Sequence, residues 1–128
     1  LVVRESFSDQ ALDLWQNWIE SGIEPIAPPF FPFEVSSVIQ NKYVRNELTA
    51  KEAERAFNLF TKLNFTVLTS ETLLKQAWDM AKELGLPTLY DTAYLALAKL
   101  CQCEFWTADE VLINSLQGKF SWVKWIGG

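Results

Sequence analysis

The stretch Leu89-Tyr90-Asp91-Thr92-Ala93-Tyr94-Leu95-Ala96-Leu97-Ala98 constrains the chain more than any other, because it reads as a helix that is apolar on nearly every side. A helix of that kind is stable only when other elements enclose it. Asp91 stands at its head, a charge where a core should begin. Three roles are open to it from this stretch alone: a helix cap, a metal ligand, or a buried acid tuned for proton transfer.

The chain has 128 residues, 49% of them hydrophobic, which is enough for one domain with a core that needs no disulfide or metal staple. No apolar run approaches the roughly 20 residues that span a bilayer, and the N-terminus lacks a basic region leading into an apolar segment with a cleavage site. The sequence therefore reads as soluble and cytoplasmic. Cys101 and Cys103 are spaced C-x-C, which fits neither a redox pair nor a zinc site, and they are expected as small core residues. The chain contains no histidine. That excludes Ser-His and Cys-His nucleophiles, histidine bases and most transition-metal sites, and leaves carboxylates, lysines and hydroxyls for chemistry. The net charge of −5 argues against a broad electrostatic footprint on nucleic acid. A local footprint remains open, since carboxylates loaded with divalent cations no longer present their formal charge.

In chain order, Leu1-Val2-Val3-Arg4-Glu5 reads as the tail of an element, and the chain is expected to be incomplete at this end. Ser8 caps a helix that runs to about Ser21 with Leu12, Trp15, Trp18 and Ile19 on its apolar stripe. Ile23–Ala27 is expected as a strand, followed by a proline-punctuated turn and a helix from about Phe33 to Arg45 with Glu34 in its first turn and Tyr43 facing inward. Thr49-Ala50-Lys51-Glu52 forms a capping box that opens a helix ending near Leu63. Phe65–Thr69 reads as a strand, Ser70 as the cap of a helix ending near Gly85, and Asp91–Cys101 as the apolar helix of the opening. The strand Glu104–Ala108, the short helix Asp109–Leu116 and the strand Phe120–Ile126 complete one domain over residues 1–128. Alternating strands and helices without a hairpin dipeptide predict an α/β fold, with helices on both faces of a mostly parallel sheet.

In such a sheet, ligands bind outside the carboxyl ends of the strands. Glu34 and Asp109 each follow a strand there, and Asp91 opens a helix after a loop marked by Pro87. Converging carboxylates repel one another unless a cation compensates, and the natural compensator is Mg²⁺ or Mn²⁺, which prefers oxygen donors. Such an ion polarises a phosphodiester and generates a nucleophile from water, so the pattern points to phosphodiester hydrolysis. Each acid also has a structural use: Asp91 as a cap, Glu34 as a first-turn acid, and Asp109 as a bystander inside Thr107-Ala108-Asp109-Glu110, itself a capping-box pattern. Most of the tryptophans at positions 15, 18, 78, 106, 122 and 125 are expected in the core or at a dimer contact rather than as stacking platforms. Lys42 and Arg45 are placed on an exposed helix side, by default a solvated face, though one that could reach a phosphate backbone.

Three segments, taken together, resemble the PIN domain, and within it the VapC-type toxin ribonucleases: Phe33-Glu34-Val35-Ser36-Ser37-Val38-Ile39, Tyr90-Asp91-Thr92-Ala93-Tyr94-Leu95-Ala96-Leu97-Ala98 and Trp106-Thr107-Ala108-Asp109-Glu110-Val111-Leu112. The resemblance covers essentially the whole chain and implies a three-layer α/β/α fold. It further implies an acidic quartet that binds Mg²⁺ or Mn²⁺ and cleaves single-stranded RNA, a cognate antitoxin as partner, and a homodimer. Glu34 matches the second acid, Asp91 the third and Asp109 the fourth, while Thr107 matches the hydroxyl residue that supports the cluster. The first acid belongs at the end of a central first strand shortly before Leu1; that strand is expected to be missing, with the native chain beginning on the order of 10–15 residues earlier. A non-catalytic PIN-like interaction domain is the alternative.

Overall fold

The computed structural model describes residues 2–4, 9–116 and 118–126. Eleven elements follow in order: β1 (Val2–Arg4), α1 (Asp9–Glu20), β2 (Ile26–Ala27), α2 (Phe31–Val44), α3 (Ala50–Thr61), β3 (Thr66–Val67), α4 (Glu71–Leu84), α5 (Tyr90–Cys101), β4 (Phe105–Thr107), α6 (Glu110–Leu116) and β5 (Val123–Trp125). The strands form one sheet in the order β3-β2-β1-β4-β5, and every pairing is parallel. The expected caps of α3 and α4 are in place. In the capping box, Thr49 Oγ1 accepts from the Glu52 amide at 3.1 Å and Glu52 Oε1 accepts from the Thr49 amide at 2.9 Å. Ser70 Oγ accepts from the Leu73 amide at 3.0 Å, and α4 stops at Gly85, whose φ of 67° suits a residue without a Cβ. The expected cap at Ser8 lies outside the described residues.

The strand expected to be missing from the centre of the sheet is supplied by Val2–Arg4. Val2 pairs with both Ile26 and Phe105, and Val3 and Arg4 continue against Trp106 and Thr107. The physical reason is that β2 and β4 each turn a row of N–H and C=O groups toward the gap between them, and two β-branched residues suffice to fill it. The other strands are shorter than expected. The Ile23–Ala27 segment joins the ladder only at Ile26, because Pro25 has no N–H to donate; its carbonyl instead accepts from the Thr66 amide at 2.9 Å.

Neighbouring residues of β4 reveal the three layers, since side chains alternate across a strand. Phe105 stacks on Tyr94 of α5 with ring centroids 5.6 Å apart, while Trp106 meets Trp18 of α1 edge-on at 5.8 Å. Helix α5 therefore covers one face and α1 the other. An aromatic cluster of Trp15, Phe31, Phe60 and Phe65 joins α1, α2, α3 and the start of β3. Of the six tryptophans, Trp15 and Trp18 are core residues as expected, whereas Trp78 and Trp125 are about half exposed, and Lys82 lies over the Trp78 ring. Tyr43 is also exposed, and of the two cysteines only Cys103 packs against the core.

Helix α5 is the enclosed one. Thr92–Ala98 is buried throughout, with α4 packed along one side and the sheet along the other. Ala93, Ala96 and Ala98 let those neighbours approach closely. Ala96 is fully buried, so Ala96→Leu is expected to overpack this layer and destabilise the fold by about 1–3 kcal/mol, measurable by urea denaturation.

Candidate active site

The strand order reverses direction between β1 and β4, and in a doubly wound sheet that switch point opens a crevice at the carboxyl ends of the strands. The candidate acids stand at the starts of three helices, α2, α5 and α6, and reach them by three routes.

Glu34 arrives through β2. After Ala27, the segment Pro28-Pro29-Phe30 turns the chain into α2, and Pro32 sits in the first turn, where its missing N–H costs no helical bond. Glu34 is the first acid along this helix and is partly buried. The hydroxyl of Tyr94 donates a hydrogen bond to Glu34 Oε1. This contact joins α2 to α5 across 60 residues of sequence. Tyr94 is completely buried, so its hydroxyl needs a partner, and the carboxylate is one that fits.

Asp91 arrives on α5. The helix begins after Leu89, whose side chain makes no cap, so Asp91 lies inside the first turn rather than at the capping position. Tyr94 follows Asp91 by three residues, a spacing that puts both on one side of the helix. Sequence reasoning did not single out Tyr94. The available signal was a phenol among aliphatic residues, one turn beyond a candidate acid.

Thr107 and Asp109 arrive through β4. Thr107 is fully buried, and its Oγ1 accepts from the Asp109 amide at 3.0 Å. Asp109 Oδ1 in turn accepts from the Leu112 amide at 3.0 Å, so Asp109 is the N-cap of α6. The sequence offered Thr107 and Glu110 as the capping pair; the helix instead starts at Glu110 and takes its cap from Asp109, two residues after Thr107. Thr107 thus holds the backbone that carries Asp109.

The structure brings Glu34 to α5 and couples Thr107 to Asp109. Among the described residues, however, no three Cys, Asp or Glu side chains lie close enough together to hold one metal ion between them. The donor chemistry of Glu34, Asp91 and Asp109 is entirely oxygen, which suits a hard divalent cation. Mg²⁺ in particular is commonly held by one or two carboxylates, with waters completing its shell. The cysteines take no part: burial pushes the Cys101 thiol up, away from the reactive thiolate. Among the described residues, the central strand β1 (Val2–Arg4) carries no acid in the place expected of the first one.

The family model of the PIN domain matches residues 2–121. The chain belongs to the PIN domain family. PIN domains are generally nucleases and generally use divalent metals. The fold is similar to the crystal structure of PAE2754 from Pyrobaculum aerophilum, with a TM-score of 0.68 over 98% of this chain and 90% of that one. Sequence identity to that protein is 18%, so the likeness is one of fold. A search of curated protein sequences gives no match. Among the described residues of this PIN domain, no helix is long and apolar enough to cross a membrane.

Charge and capping at Asp109 can be separated. Asn caps a helix about as well as Asp. Asp109→Asn is therefore expected to keep the stability of the wild type, and Asp109→Ala to lose about 1 kcal/mol in urea denaturation. A loss of nuclease activity in the Asn variant would then report on the carboxylate charge alone.

Proposed function

We propose that this PIN domain is a Mg²⁺- or Mn²⁺-dependent endoribonuclease acting on single-stranded RNA, and that it is the toxin of a toxin–antitoxin pair working in the cytoplasm. The observation that carries the reading is the Tyr94–Glu34 hydrogen bond, which fixes one candidate carboxylate beside the helix that bears another, at the rim where α/β sheets bind their ligands. Glu34, Asp91 and Asp109 are the residues that would hold the cation. A bound divalent ion supplies Lewis acidity toward a phosphodiester and an activated water. The chain's own part is positional: Tyr94 sets the Glu34 carboxyl, Thr107 sets the Asp109 backbone, and the first turn of α5 serves as a rigid mount for Asp91.

The proposed partners are a cognate antitoxin and a second copy of the chain. A homodimer is supported by the outer side of α2, where Phe33 and Val44 are 77% and 66% exposed around a shallow groove lined by Ser36, Ser37 and Gln40. Exposed apolar area of this sort is typical of association surfaces. A second reading, a non-catalytic interaction domain, is favoured by one feature: β1 ends on a basic residue, Arg4, at the centre of the rim.

RNA cleavage decides between the two. The protein is expected to cut single-stranded RNA with Mn²⁺, to stop when EDTA is added, and to lose at least the roughly 10–100-fold that follows from disturbing even the outer partners of a metal when Asp91 is changed to Asn. Cleavage that persists through both EDTA and Asp91→Asn would rule out the metal mechanism. No cleavage under any of these conditions would favour the interaction domain.

A further inference from the structure

A second cavity adjoins the rim. It has a volume of about 430 Å³ and lies between the turn after β2, the end of β3, and helices α4 and α5, with Pro28, Phe30, Thr69, Leu74, Leu89 and Tyr90 among its walls. None of the residues lining it is charged. We infer that this cavity seats a nucleobase of the RNA next to the phosphodiester that is cut.

Position is the first argument. Tyr90 immediately precedes Asp91, and Phe30 meets both Tyr90 and Tyr94 nearly at right angles, with centroids 5.2 and 5.6 Å away. Tyr94 is the residue bound to Glu34. The cavity wall and the candidate carboxylates thus share α5 and the turn into α2, so a nucleotide held in one has its phosphate near the other. The second argument is chemical. A phosphate has no counter-charge in this cavity, whereas a base finds the rings of Phe30 and Tyr90 for stacking and the hydroxyl of Thr69 as a polar handle. Tyr90 is 58% exposed, so its ring is accessible without rearrangement.

Charge balance favours the same occupant. With 11 basic against 16 acidic residues, the chain gains little from neutralising phosphates. Stacking is the main contribution left to it, and stacking does not depend on net charge. The size fits as well. The cavity lies at the low end of the roughly 300–1,000 Å³ of small-molecule sites, suiting one heterocycle. The rigid Pro28-Pro29 segment keeps one wall from collapsing.

The inference rests on the ribonuclease reading, and the experiment separates the two. Binding of a labelled single-stranded RNA oligomer to the full chain is measured by fluorescence anisotropy in EDTA, and cleavage of the same RNA is followed with Mn²⁺. Tyr90→Ala is expected to raise Kd roughly 5- to 150-fold, the range that corresponds to loss of one stacked base. Tyr90→Phe, which keeps the ring, is expected to bind like the wild type. A ribose-phosphate chain without bases should bind wild type and Tyr90→Ala equally. Thr69→Trp, at an exposed loop position, fills the cavity from its mouth and should reproduce the loss with the Tyr90 helix turn intact. Equal RNA affinity in wild type, Tyr90→Ala and Thr69→Trp, with cleavage retained, overturns the base cavity while the nuclease reading stands, and leaves the cavity to an apolar protein segment. RNA neither bound nor cut by the wild type overturns both.

Discussion

The enclosure of α5 is the constraint on which the rest of the structure depends. A helix buried from Thr92 to Ala98 cannot be stabilised from one side, as an amphipathic surface helix is, so it requires a sheet beneath and a helix above. Small residues at 93, 96 and 98 allow that double packing, and the single large polar residue within it, Tyr94, must find a hydrogen-bond partner inside the protein. That partner is Glu34, carried by a different layer of the chain. A packing requirement in the core thereby fixes the position of a carboxylate at the rim. Stability and the candidate chemistry share one contact, and α5 cannot shift without moving Asp91, Tyr94 and Glu34 together.

Much of this architecture was legible because helices announce their ends. The Thr49–Glu52 box, Ser70 and Gly85 each satisfy or release specific backbone groups, and the helix boundaries drawn from them agree with the structure to within a residue or two. The strands were harder. A strand of two residues such as Thr66–Val67 or Ile26–Ala27 is held by its neighbours more than by its own propensity, so the boundary depends on partners that lie far away in sequence. Val2–Arg4 is the clearest case: three residues too few to declare a strand became the centre of the sheet because β2 and β4 present open edges to them. Trp78 and Trp125, about half exposed, illustrate that apolar spacing marks a possible contact face without saying whether another element of the same chain covers it.

The candidate site was legible in part for the same reason. Glu34 and Asp109 could be assigned to strand-to-helix junctions and Asp91 to a helix start after a loop, since such positions follow from element order. Tyr94 could not, because its role exists only through a contact with a residue 60 positions away. At Asp109 the sequence offered a choice between structure and function that the geometry dissolves. Its Oδ1 caps α6 through the Leu112 amide, and Thr107 holds its backbone from the other side. Those bonds restrict the side chain to one orientation, and a carboxylate restricted in that way loses less freedom on meeting a ligand than a mobile one does.

The rim thus divides into a charged part and an apolar part built from the same two segments, the turn into α2 and the first turn of α5. In the charged part, on the proposed reading, the carboxylates raise the cost of bringing in a phosphate, and a bound cation would offset that cost. In the apolar part, Phe30 and Tyr90 offer attraction that ignores the sign of the chain. A polyanion approaching a protein of net charge −5 encounters little long-range attraction, so its hold has to come from contacts made within a few ångströms. That shifts the burden of recognition from charge to shape. On the proposed reading, the phenylalanine and tyrosine beside the acids would belong to the working arrangement as much as the acids themselves.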